Sequence, residues 1–120
     1  MTLEEYYASI NGDLAGVRGR LMADDKIIKF LKFFLMDPSY GELCTALESD
    51  DMESAFRAAH TMKGTSSNLG FGDLLASSTA LADALRPDAS GQPSNPAAVP
   101  ELKAKVDADY ALVVEGAKQF

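Results

Sequence analysis

Apolar residues recur at helical spacing along nearly the whole chain, and no alternating run bounded by hairpin turns predicts a strand. Helices with one apolar stripe and mostly short connections pack side by side as a bundle. The sequence therefore predicts an all-α fold, an up-and-down four-helix bundle with an additional short N-terminal helix. The predicted last helix has apolar residues at intervals of three and four: Leu102, Val106, Tyr110, Val113, Ala117 and Phe120.

Capping residues predict where individual helices begin and end. Thr2 and Glu5 have the spacing of a capping box, in which each side chain bonds the other residue's backbone N–H. Asp50 and Glu53 have the same spacing and predict the start of a later helix. Gly70 predicts the end of that helix, because glycine readily adopts the left-handed conformation that closes a helix.

The chain length allows one compact domain with its own core. We assign residues 1–120 to a single domain, with N-terminal helical segments over 1–22 and the bundle over 24–120. Residues 87–100 contain four prolines with Gly and Ser, which predicts a flexible loop.

Acidic residues outnumber basic ones by 18 to 11, which gives a net charge of −7. Such a chain repels phosphate backbones and anionic lipids, so we expect no nucleic-acid binding and no membrane insertion. The N-terminus lacks the basic start and apolar run of a signal peptide, which favours a cytoplasmic location. The single cysteine, Cys44, excludes an internal disulfide.

The only histidine, His60, lies within the predicted helix 52–69. At about 100° per residue, it points away from the middle of that helix's apolar stripe and therefore toward solvent. Lys63 and Gly64 follow three and four positions later, so both neighbour His60 on the helix surface. Arg57 lies one turn earlier and Ser67 two turns later.

Each neighbour has a chemical use. Histidine changes charge near neutral pH, so its neutral imidazole is available as a nucleophile toward a phosphoryl group. Lys63 offers a positive charge to the phosphoryl oxygens, and Gly64 removes a side chain that would obstruct a partner. A glycine inside a helix lowers the stability of the helix by about 1 kcal/mol relative to alanine. A glycine at this position therefore calls for a reason, such as the close approach of a partner protein.

The segment Ala59-His60-Thr61-Met62-Lys63-Gly64, followed by small residues and Gly70, resembles the signature of histidine phosphotransfer (HPt) domains. The likeness extends over about residues 13–87 and the final helix. It implies a four-helix bundle whose exposed histidine accepts a phosphoryl group from a receiver-domain aspartate and passes it to another. The implied partners are response-regulator receivers and a hybrid sensor histidine kinase. The receiver is expected to supply Mg²⁺, so the chain itself has no cofactor.

The resemblance makes His60 the phosphoacceptor and Lys63 the charge partner of its phosphate. Residues expected to dock a partner are Arg57, Gly64, Ser67 and Asn68. No Gly-rich phosphate loop is present, so we expect a phosphoryl carrier without kinase activity of its own. With one His and one Cys, no metal site is expected.

Two alternatives remain at this level. The chain could be the phosphoacceptor domain of a chemotaxis-type histidine kinase, or a helical adaptor that binds a partner without chemistry. The sequence does not identify the kinase, the response regulator or the oligomeric state. The lysines at 26, 29 and 32 are interpreted as a solvated helix edge, with a contribution to receiver docking as the weaker alternative.

Overall fold

The computed structural model describes all 120 residues and contains seven α-helices and no strand. The helices are α1 (Leu3–Ser9), α2 (Leu14–Leu21), α3 (Asp24–Leu35), α4 (Ser39–Glu48), α5 (Met52–Leu69), α6 (Gly72–Leu85) and α7 (Val99–Ala117). The all-α prediction is confirmed. None of these helices combines the length and apolar character needed to cross a bilayer.

The later helices pack in chain order, α4 on α5, α5 on α6 and α6 on α7. Helix α3 contacts both α5 and α7 and so completes a ring of helices around the core. The result is an elongated bundle measuring 45 × 22 × 20 Å.

Helix α1 closes one end of the bundle through two fully buried tyrosines. The Tyr6 hydroxyl donates to the Val113 carbonyl at 2.8 Å, and the Tyr7 hydroxyl donates to the Leu69 carbonyl at 2.7 Å. Burial raises the pKa of Tyr7 to about 12, so this hydroxyl keeps its proton and remains a donor. The Leu69 bond ties α1 to the end of α5.

The C-terminus of α5 ends as predicted. Gly70 adopts φ +69°, and its N–H bonds the Ser66 and Ser67 carbonyls. A Cβ at Gly70 would lie 2.5 Å from Val17 Cγ2 and 2.9 Å from the Asp13 carbonyl oxygen. Only glycine fits here, both for its conformation and for the closeness of α2.

Three predicted boundaries were wrong. Asp51 rather than Asp50 caps α5, because Asp50 forms the preceding turn at φ +55° and the Asp51 carboxylate accepts from Ser54 N–H at 3.1 Å. Helix α7 already begins at Val99, inside the predicted loop 87–100, since proline is well tolerated in a first helical turn. The same helix ends at Ala117, and Phe120 lies beyond it with its ring 5.6 Å from that of Tyr6.

Candidate phosphoacceptor site on helix α5

Helix α5 holds His60 near its middle, with a capped start and a glycine-closed end. Hydrogen bonds from Ser54 hold the pKa of the Asp51 carboxyl below its usual value, so the capping group is a carboxylate at neutral pH. Mostly small buried side chains let α5 pack closely on its neighbours: Ala55, Ala58, Ala59, Met62, Ser66 and Leu69.

His60 is exposed, and no protein group is hydrogen-bonded to its imidazole. Two neighbouring polar side chains are bonded elsewhere: Thr61 Oγ1 donates to the Arg57 carbonyl at 3.0 Å, and the Arg57 guanidinium donates to Glu53 at 2.8 Å. Both ring nitrogens are therefore open to solvent or to a reacting partner.

Gly64 is exposed one turn after His60. A Cβ built at this position has no heavy atom within 4 Å, so the glycine is not needed for packing inside the domain. The open surface that it leaves lies directly beside the imidazole.

Lys63 is half-buried, and no carboxylate pairs with its ammonium group. Arg57 is exposed but is held by Glu53 at 2.8 Å, one turn toward the helix start and away from His60. Ser67 and Asn68 have exposed side chains, while their carbonyls accept hydrogen bonds from the Arg20 guanidinium.

A family comparison completes this description. The model of the Hpt domain family matches residues 36–109, which is more than half of the chain. The chain belongs to the Hpt domain family. Helices α1–α3 of this Hpt domain lie outside the matched region. The match therefore begins later in the chain than the resemblance described from the sequence, which began at about residue 13. Searches of curated proteins and of solved structures give no match.

On one side of α5, the turns that follow His60 adjoin helices α2 and α3. Thr65 and Asn68 of α5 line a shallow cavity of about 290 Å³ together with Arg20 and Phe30. Beyond it lies a group of exposed residues on α3 and just after the end of α2 that we call the α3 patch. The α3 patch consists of Met22, Lys26, Lys29, Phe30 and Phe33.

The opposite flank carries a residue that the sequence did not single out. Phe56, one turn before His60, is half-buried rather than part of the core, and its ring centroid lies 6.0 Å from that of His60. The guanidinium carbon of Arg86 lies 5.3 Å from the Phe56 ring centroid. Arg86 follows the end of α6, so only the tertiary fold places it here.

Proposed function

We propose that this Hpt domain relays a phosphoryl group between receiver-domain aspartates through a phosphohistidine at His60. The observation that supports this most is the exposed, unbonded imidazole of His60 beside the open surface at Gly64. Membership of the Hpt family supplies the reaction class. The cytoplasm, where receivers and kinases act, is the proposed location.

The proposed transfer is a single displacement at phosphorus. One imidazole nitrogen of His60 donates its lone pair to form the N–P bond, while the receiver's acyl O–P bond breaks. The bonding electrons leave on the receiver's aspartate as a carboxylate, and the other imidazole nitrogen keeps its proton. We propose that Mg²⁺ comes with the receiver, so this chain acts as a carrier rather than as an enzyme.

The assay for this proposal uses a receiver domain carrying ³²P on its aspartate and, separately, phosphoramidate as a small donor. We expect both donors to give the wild-type chain a label that is stable in base and lost in acid, as a phosphohistidine is. A chain that binds receivers but stays unlabelled by every donor would be an adaptor and would contradict the proposal.

Lys63 is proposed to stabilise the phosphoryl oxygens. The Lys63→Ala variant is expected to slow transfer about tenfold, the size expected for one charge-assisted hydrogen bond. Lys63→Arg should retain most of the rate, because it keeps the positive charge. A large fall in the melting temperature of Lys63→Ala would instead show that the side chain is structural.

The α3 patch is the proposed docking surface for the receiver. Phe33 is 47% exposed and Phe30 40%, their rings meet edge to face at 5.9 Å, and the Lys29 ammonium lies 5.7 Å from the Phe33 ring. An apolar centre with a basic rim on an otherwise acidic chain suits a partner whose phosphorylated site carries carboxylates and phosphate. The apolar centre makes docking a better account of Lys26 and Lys29 than a solvated edge.

Replacing both aromatic residues, Phe30→Gln with Phe33→Gln, is expected to weaken receiver binding about tenfold or more, because exposed aromatics often dominate interface energy. Binding is measured by titration calorimetry, and labelling by phosphoramidate should not change. Leu112→Gln is the matched control, since Leu112 is a 56% exposed apolar residue on α7. Equal binding by the double variant and the control would rule out the α3 patch.

A further inference from the structure

Arg86 reaches the phosphoacceptor face through an aromatic contact. Phe56 and His60 are four residues apart on α5 and therefore share a helix face, with ring centroids 6.0 Å apart. The Arg86 guanidinium lies 5.3 Å from the Phe56 ring centroid, the arrangement of a cation–π pair. Phe56 is thus close both to the histidine ring and to a cation that follows the end of α6.

The backbone at Arg86 is held in place by the loop that follows α6. The Arg86 carbonyl accepts a hydrogen bond from Ser94 N–H at 2.9 Å and a second from the Ser94 hydroxyl. Asn95 N–H donates to the Ala84 carbonyl at 3.0 Å. The Arg86 side chain therefore extends from a braced position rather than from a free loop.

The present ion pair of Arg86 is weak. Its guanidinium meets Asp83 at a single contact of 3.3 Å, and the two side chains are 51% and 60% exposed. Solvent screens such a pair, which contributes little to stability. The guanidinium can therefore leave Asp83 for an anion that binds it more strongly, with little change in the stability of the fold.

One side of His60 carries Lys63 and, across the Phe56 ring, Arg86. At about 100° per residue, Lys63 and Phe56 both lie on the flank of α5 that faces away from the α3 patch, and Arg86 covers Phe56. A phosphoryl group on His60 carries two negative charges, and the imidazole ring that keeps its proton offsets only one of them. The planar guanidinium matches phosphoryl oxygens in pairs and also stacks on an aromatic ring, two properties that lysine lacks.

We propose that Arg86 is a second phosphate-binding cation of this site, which leaves Asp83 for the phosphoryl group on His60 while Phe56 keeps it within reach. This inference rests on the proposed phosphohistidine at His60. Arg86 donates hydrogen bonds and keeps its proton, so the bonds made and broken in the transfer are unchanged. Its effect is to stabilise phospho-His60 relative to the receiver's phospho-aspartate.

The deciding measurement is the equilibrium between phosphorylated receiver and phosphorylated His60, approached from both directions. A residue that only docks the receiver changes the forward and reverse rates equally and leaves this equilibrium unmoved, whereas a phosphate ligand shifts it. We expect Arg86→Ala to shift it about three- to tenfold toward the receiver. Arg86→Lys should recover only part of the shift, because it lacks the planar donor pair.

Two further variants test the contacts around Arg86 while keeping the arginine itself. Phe56→Leu is expected to shift the equilibrium in the same direction as Arg86→Ala, and Asp83→Asn in the opposite direction by removing the competing carboxylate. Lys118→Ala, which removes one positive charge at the far end of α7, is the control for net charge and should leave the equilibrium unchanged.

An Arg86→Ala equilibrium equal to that of Lys118→Ala would overturn the inference. If Arg86→Ala does not fold, the test rests on Arg86→Lys and Asp83→Asn. An equilibrium equal to that of the wild type in both of these variants would also overturn the inference. Failure of the underlying function is a distinct result, because the wild-type chain would then take no label on His60 from phosphoramidate.

Discussion

The His60→Gln variant is expected to take no label above background from a phosphorylated receiver or from phosphoramidate. Glutamine keeps a polar side chain of similar reach, but its amide nitrogen has no lone pair available for attack on phosphorus. His60 is the only histidine in the chain, so no second imidazole can replace it. The measurement is ³²P incorporation followed by acid and base treatment, with wild type and variant side by side.

The fold of the variant is checked by its melting temperature. His60 is exposed and its imidazole bonds no protein group, so the substitution should change stability by no more than about 0.5 kcal/mol, a shift of a few degrees at most. Loss of label with an unchanged melting curve would assign the phosphoryl group to His60. Label retained on the folded variant would place it on another residue and refute the assignment.

Helix ends that depend on local chemistry were predictable from the sequence. The Thr2–Glu5 capping box forms with both of its hydrogen bonds, and Gly70 closes α5. The start of α5 was missed by one residue because a tertiary detail decides it. Asp51 N–H donates to the Ala46 carbonyl at 2.8 Å, which makes Asp50 part of the turn and leaves the cap to Asp51.

The candidate site was predictable where it lies on a single helix. The periodicity of α5 was enough to place His60 and Gly64 on its exposed side, because both positions follow from one rotation per residue. Arg86 could not be found in this way, since it reaches His60's neighbour Phe56 only after α5 and α6 pack together. Arg57 was placed near His60 by the helix periodicity, but in the structure its ion pair with Glu53 turns its side chain away from the histidine. Its docking role stays a prediction.

Substitution of Gly64 is expected to change stability and transfer in opposite directions. A Cβ at Gly64 meets open space, so Gly64→Ala should raise the free energy of unfolding by up to about 1 kcal/mol through helix propensity alone. Gly64→Leu keeps the helix but places a branched side chain one turn from the imidazole. Because a displacement of about 1 Å can cost about 100-fold in rate, we expect receiver transfer to fall by at least that factor.

Gly41 provides the matched control, because it is an exposed glycine of α4 at which a Cβ likewise meets nothing within 4 Å. Gly41→Leu should transfer at close to the wild-type rate. Phosphoramidate separates obstruction from damage to the nucleophile, since so small a donor should still label Gly64→Leu. Rapid transfer from a receiver to Gly64→Leu would show that close approach at this position is not required, and the glycine would then need another explanation.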